Sequence, residues 1–339
     1  MNSISRRRFA LGAAAAGSAV LVRRRAYAAA PLEMRQFHNQ TVDSTLHKRL
    51  VEMWAAVEME TGGKIRVRTF PENDKLAGGD PQALKMLVSG ELAFYTLMGG
   101  ILGEVVPIAD IQGMPFAFKD SPQVYAALDG DLGDLLRAEA MTKGIYALPA
   151  GCFENGFRQI TSSTHPIRNV ADLNGFKIRV PASQMFEDCF KSLGAVPTSI
   201  NTNRLYEALK TGQVEGQENP LAIADGFKLY EVQRYVSLTS HMWSGYNLLA
   251  NLAVWRKLPA DVQQAIERNT IKYVKLQRAD NVALNASLQS ALEKRGMMFN
   301  QADTASFRPP LADFYRRWKD HFGTKAWAAL EGHVGKLGA

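Results

Sequence analysis

Cysteine is scarce: Cys152 and Cys189 are the only two in 339 residues, and they form no CxxC pair. That count excludes a zinc ribbon and a thioredoxin-like redox motif, and two buried thiols rather than a disulfide are expected. Long apolar runs are missing as well. The uncharged Ala/Gly-rich stretch from Phe9 to Val22 falls well short of the roughly 20 residues that a membrane-spanning helix needs. Catalytic signatures are lacking too: there is no GxSxG elbow, HExxH pair or P-loop. Gly99-Gly100-Ile101-Leu102-Gly103 has the wrong spacing for a dinucleotide loop. The six histidines are scattered, and His38 and His47, although close in sequence, have no acidic or cysteine ligand at a recognised spacing. No metal and no cofactor is therefore expected, and His241 reads as a satisfied structural histidine.

What is present begins with charge. The formal net charge is +7, yet Arg6, Arg7, Arg8, Arg23, Arg24 and Arg25 all lie in the first 28 residues, which hold no acid. Removing these six from the 40 bases leaves 34 against 33 acids, a balance that gives no support to nucleic-acid binding. Ser5-Arg6-Arg7-Arg8-Phe9 is a twin-arginine arrangement, and Ala26-Tyr27-Ala28 is a small-x-small cleavage pattern. Residues 1–28 thus read as a twin-arginine signal peptide, and the mature protein as periplasmic.

With 46% hydrophobic and 22% charged residues, the mature chain has ample material for a packed core and more than one domain. A strand is predicted from Leu32 to Phe37, then a loop from His38 to Ser44. A helix follows with Leu46, Leu50, Met53, Trp54 and Val57 on one face, capped by Ser44 and ended by Gly62-Gly63. Lys64 to Phe70 alternates as a strand. Pro81 to Ser89 is a helix with Leu84, Leu87 and Val88 inward, and Glu91 to Leu97 a buried strand. The pattern restarts near Ile145, with strands at Ile145 to Ala150, Gly156 to Thr161, Lys177 to Val180 and Val236 to Leu238. Helices are predicted at Gln184 to Leu193 and Asn203 to Lys210. Alternating strands and helices predict an α/β fold. After Leu258-Pro259 the apolar positions keep helical spacing to Gly296, a helix of about 55 Å that would cross two lobes.

Three stretches carry the chemistry. They are Asn155-Gly156-Phe157-Arg158-Gln159, then Leu173-Asn174-Gly175-Phe176-Lys177-Ile178-Arg179-Val180-Pro181, then Glu215-Gly216-Gln217-Glu218-Asn219-Pro220. Arg179 stands in an apolar strand. It is either a structural ion-pair partner or a rigid charged fork aimed at a carboxylate, and the pattern alone favours neither. Arg158 would add a second positive charge to the same mouth. Asn219 precedes a proline and by itself reads as a turn residue.

In order and spacing, these stretches resemble the solute-binding proteins of tripartite ATP-independent periplasmic (TRAP) transporters, DctP type. So do Glu60-Thr61-Gly62-Gly63-Lys64-Ile65, Pro115-Phe116-Ala117-Phe118, Tyr206 to Pro220 and Asn251 to Pro259. The resemblance covers nearly the whole mature chain. It implies a two-lobed, periplasmic-binding-protein-like fold with a ligand cleft between the lobes and a long C-terminal helix crossing both. Lobe I would comprise residues 29–155 plus about 245–284, and lobe II residues 156–244 plus about 285–339. Arg179 would hold a substrate carboxylate, with Arg158 and Asn219 as further contacts and Glu218 beside them. No bond would be made or broken, and the cargo would pass to the TRAP membrane permease subunits.

Ala93 stands where the family often has aspartate, and Met98 where some relatives place polar contacts. With Tyr95 and Trp243 as neighbours, and the loop residues Asn39 and Gln40 as further contacts, a monocarboxylate with an apolar or aromatic body is expected. The competing readings are a secreted enzyme acting on an acidic substrate and a protein that presents its ligand to a sensor.

Overall fold

In the computed structural model, which describes residues 30–338, eleven strands form two sheets among the described residues. In chain order they are β1 (Leu32–His38), β2 (Ile65–Phe70), β3 (Phe94–Met98), β4 (Ile145–Phe157), β5 (Gln159–Ser162) and β6 (Lys177–Val180). The remainder are β7 (Val196–Ser199), β8 (Gly216–Asn219), β9 (Tyr235–Leu238), β10 (Trp243–Asn251) and β11 (Met298–Gln301). The first sheet has the order β2-β1-β3-β10-β4 and the second β11-β9-β5-β8-β6-β7. In the first, β1 pairs parallel with β2 and β3, while β10 runs antiparallel between β3 and β4. The second is mixed, with β6 parallel to β7 and β8, and β5 antiparallel to β8 and β9.

The local chemistry explains the opening elements. Ser44 accepts from the His47 amide at the start of helix Thr45–Glu60, and Leu46, Leu50, Met53, Trp54 and Val57 are its buried face. Gly62 and Gly63 follow at φ +63° and +79°, a left-handed exit that residues with a Cβ take at a cost. The helix Gly79–Ser89 buries Leu84 and Leu87 but leaves Val88 40% exposed, contrary to its expected inward position. Glu91 to Ala93 are not strand; pairing starts only at Phe94.

Two differences matter for the site. Ile145 does not open a second sheet: it begins the 13-residue β4 at the edge of the first. The single strand expected from Gly156 to Thr161 is broken at Arg158, whose amide donates to the Met242 carbonyl at 2.8 Å. The chain passes from the first sheet to the second at Arg158 and returns through Met242, so these two residues pair at the crossing.

The helix Ala260–Lys294 has 35 residues, about 52 Å at 1.5 Å per residue. It packs against helix Thr45–Glu60 and β4 through Val262, Ile266 and Val274, and further on against helix Leu221–Gly226 and β11. Leu292 joins the smaller apolar core beneath the second sheet, with Leu205, Leu209, Val214 and Val236. Arg278 fixes the helix to the first sheet, donating to both oxygens of Asp129 (2.6 and 2.9 Å) and to the Cys152 carbonyl. Gln277 and Asn281 donate to the Glu154 carbonyl at 2.8 and 3.0 Å, clamping β4 just before it leaves its sheet.

The last helix, Ala312–Val334, turns back onto helices Ser121–Asp129 and Asp131–Thr142. Tyr315 donates to the Pro115 carbonyl, and His333 meets Asp131 at 2.7 Å. Among the described residues no helix is long and apolar enough to cross a membrane.

Candidate functional site

Arg179 occupies β6 at 2% exposure. Its Nε donates to the Ile200 carbonyl at 2.7 Å, and among the described residues its two Nη groups have no hydrogen-bond partner. No carboxylate forms an ion pair with it there either. Burial is the main reason its pKa falls to about 10, and the like charge of Arg158 pushes the same way. Glu218, Asp80 and Tyr246 lie close enough to oppose that fall. A buried, uncompensated guanidinium is costly and calls for an anion.

Arg158 is the opposite case. Its Nε and Nη2 grip the Glu218 carboxylate, Nη2 also donates to Asn219 Oδ1 at 2.9 Å, and Nη1 donates to Ser244 at 3.0 Å. The Met98 sulfur lies 3.5 Å from Nη1, and the guanidinium stands 5.1 Å from the Phe186 ring centroid. Glu218 is fully buried between Arg158 and His241. Burial by itself would raise its pKa, but the Arg158 charge and the His241 hydrogen bond hold it below the usual carboxylate range. Burial drives the His241 pKa down, with Glu218 opposing. Its Nε2 meets Glu218 at 3.2 Å and its Nδ1 meets the Thr239 hydroxyl at 2.8 Å. Asn219 donates to Gln217 Oε1 at 2.6 Å, and both of its amide ends are thus engaged.

A second polar group faces these from the first sheet. Gln40 donates to Tyr246 Oη and to Asn39 Oδ1, and Asn39 donates to Asp80 at 2.9 Å. Tyr95 and Asn73 donate to the other Asp80 oxygen at 2.8 and 2.7 Å. Asn73 is held in place by a backbone that runs left-handed from Glu72 to Lys75, with φ between 49° and 59°. Asp80, Asn73 and Tyr246 were not singled out from the sequence. Tyr246 lies in an apolar strand, where only its hydroxyl distinguishes it, and Asp80 precedes the expected helix start at Pro81 and stands in the first turn of helix Gly79–Ser89. Trp243 goes elsewhere: its indole N–H donates to Glu154 Oε1 at 2.8 Å, on the side of the long helix.

Behind Gln40 lies His38, whose Nδ1 accepts the Gln40 amide N–H (3.2 Å) while Nε2 meets His47 at 2.9 Å. Burial, with His47 adding to it, takes the His38 pKa to about 3. The folded pKa lies below the unfolded value of about 6.5, so this stability is complete above pH 6.5 and is lost as pH falls towards 3. Denaturant melts of the wild type should lose about 1.4 kcal/mol per pH unit through that window. His38→Gln should flatten the slope.

Among the described residues no group of three or more His, Cys, Asp or Glu side chains is placed to hold a metal ion. Cys152 and Cys189 are buried and not joined to each other, and burial pushes the Cys152 thiol up to about 12.

Comparison with known proteins places this geometry. Residues 37–321 match the family model DctP, bacterial extracellular solute-binding protein, family 7. A solute-binding protein of Verminephrobacter eiseniae is 33% identical over 278 residues, 81% of this chain and 80% of that one. The structure of a TRAP periplasmic solute-binding protein from Polaromonas sp. JS666 bound to D-erythronate is similar at a TM-score of 0.84. It is 28% identical, with 88% of this chain and 98% of that chain covered. The sugar acid binding protein DctPAm of Advenella mimigardefordensis, in complex with galactonate, is similar at a TM-score of 0.83 and 28% identity, covering 90% and 97%. With its two mixed sheets, crossing strands and long bridging helix, this chain belongs to the DctP family of bacterial extracellular solute-binding proteins, those of TRAP transporters.

Proposed function

We propose that this protein captures a small organic acid in the periplasm through Arg179 and delivers it to the membrane permease subunits of a TRAP transporter. The observation that carries the reading is the unpartnered Arg179 fork, buried while its neighbours are hydrogen-bonded to one another. A ligand carboxylate would supply the missing acceptors, and the low dielectric of the shut cleft would strengthen the contact. Arg158, Asn219 and Glu218 would form the wall behind it, with Gln40, Asn39 and Tyr95 lining the opposite side.

The ligand body we assign is hydroxylated. The groups facing Arg179 are amides, phenols and a carboxylate, and the relatives above hold erythronate and galactonate. The apolar or aromatic body expected from Ala93, Met98 and Trp243 has less support, because the Met98 sulfur faces Arg158 and the Trp243 indole faces Glu154.

A thermal-shift screen of organic acids, sugars and amines tests the reading. A carboxylate at 100 times its Kd should raise the melting temperature by about 4 °C. A response to sugars or amines alone would refute it. Ligand recovered unchanged after denaturation would separate binding from the alternative of an enzyme acting on an acidic substrate. Paired permease genes beside this one would separate transport from ligand presentation to a sensor.

The twin-arginine leader lies outside the described residues. Export with cleavage after Ala28 remains part of the proposal, and the mass of the exported protein checks it. For the lobes we propose the division at the two strand crossings, with the final helix on the side of the first sheet.

A further inference from the structure

The run Gly99-Gly100-Ile101-Leu102-Gly103, which is no nucleotide loop, serves as a seat. A Cβ on Gly100 would come within 2.8 Å of Phe186, and one on nearby Gly113 within 3.0 Å of Met185. Both partners belong to helix Gln184–Ser192, so that helix from the second-sheet side rests on nearly bare backbone of the first. Its start is capped from across the seam. Ser183, at the N-cap position, makes no cap bond to its own helix; its hydroxyl donates to Asp110 Oδ1 at 3.2 Å. The Gln184 amide donates to Glu104 Oε1 at 3.4 Å.

The two acids fare differently. Glu104 is exposed and receives the helix amide. Asp110 is 4% exposed, and the Ser183 hydroxyl is its one donor among the described residues. The groups around it are Glu104 from its own side, Asp188 from helix Gln184–Ser192, and Arg317 and His321 from the last helix. Together they line a groove of about 410 Å³ that also reaches Asp110. Lys85 and Glu187 line the adjoining groove. Neither Arg317, His321 nor Lys85 makes an ion pair with Asp110. Burial raises the Asp110 pKa well above the carboxylate range and the Glu104 charge adds to this, with only the Ser183 bond opposing.

We propose that the shut protein carries one proton on Asp110 together with its anion, taken up as the lobes meet and given back as they part. When the lobes separate, helix Gln184–Ser192 leaves the seat, Asp110 meets water and ionises, and the Ser183 hydroxyl is freed to cap its own helix. Since the proton favours the shut form, ligand affinity is highest in acid and falls as pH rises. The proposal rests on the solute-binding reading only in that the ligand drives closure.

The test is calorimetry of succinate, D-erythronate and D-galactonate binding in buffers of differing ionisation enthalpy, from pH 5.5 to 8. The wild type should take up close to one proton per ligand, with affinity falling up to about tenfold per pH unit. Asp110→Asn should bind with no uptake and a flat profile, whereas Glu104→Gln should keep the uptake. Wild-type binding without proton uptake, uptake that survives Asp110→Asn, or uptake lost in Glu104→Gln would each overturn the proposal while leaving carboxylate binding intact. If none of these acids binds, the failure lies with the carboxylate reading. The proton is then sought in protein locked shut by a disulfide between Ala77→Cys and Asn203→Cys. The infrared carbonyl band of a protonated carboxyl, lost in Asp110→Asn, is expected there, and its absence overturns the proposal.

Discussion

Arg179→Ala should weaken carboxylate binding by about 30- to 4,000-fold, the equivalent of the ~2–5 kcal/mol typical of removing one partner from a buried charge pair. The same substitution should leave the ligand-free melting temperature unchanged or higher. Among the described residues the guanidinium has one bond, to the Ile200 carbonyl, and its removal relieves the cost of burying a charge. Arg179→Lys keeps the charge but loses the two-pronged geometry, and an intermediate loss of tenfold or more is expected. Calorimetry and thermal melts on the same preparations check both halves. Wild-type affinity in Arg179→Ala would remove the basis of the proposed function.

Arg158→Ala should show the reverse signature. It strips Glu218 of its main counter-charge inside a region where both side chains are at most 1% exposed. Breaking such a pair costs about 3–5 kcal/mol, so the ligand-free protein should melt about 5–8 °C lower. Glu218→Gln should destabilise similarly, because it removes the carboxylate that Arg158 grips and that also offsets the charge of Arg179. Arg158→Met combined with Glu218→Leu should recover part of the loss, since neither charge is then left alone. In the wild type the folded Glu218 pKa is depressed, so its contribution is present above its unfolded value and is lost as pH falls through the lower folded one, a loss that Glu218→Gln should not show. A Arg158→Ala variant that melts like the wild type would show that this pair does not hold the crossing together.

These two arginines also mark how far residue patterns reach. Arg179 stands in β6 and Arg158 at the break between β4 and β5, with β8 between β5 and β6, and each was expected at the mouth of the cleft. Their difference comes from what lies opposite. Glu218 is 60 residues from Arg158 in sequence and reaches it because β5 and β8 pair antiparallel, Gln159 against Asn219. No residue spacing announces that Arg179 lacks such a partner. Asp80 was missed for the same reason: Asn39, Asn73 and Tyr95 come from a loop, a left-handed turn and a strand, and only folding brings them to one carboxylate.

Local order was easier to read. Helix Thr45–Glu60 with its Ser44 cap, β2, β6 and the long helix after Pro259 follow from side-chain periodicity and capping, which act over a few residues. Val88 was misplaced because at 100° per residue it falls just beyond the stripe made by Ala83, Leu84 and Leu87, on the solvent side of Leu84.

Periodicity, capping and charge count are properties of neighbouring residues, so the chain alone determined its alternating elements, its balanced charge beyond residue 28 and the arginine strand. Which arginine is satisfied, which carboxyl is shut away from water and where the backbone crosses between sheets depend on contacts across 50 to 200 residues. Desolvation and pairing are set by those contacts, and only the tertiary structure decided them.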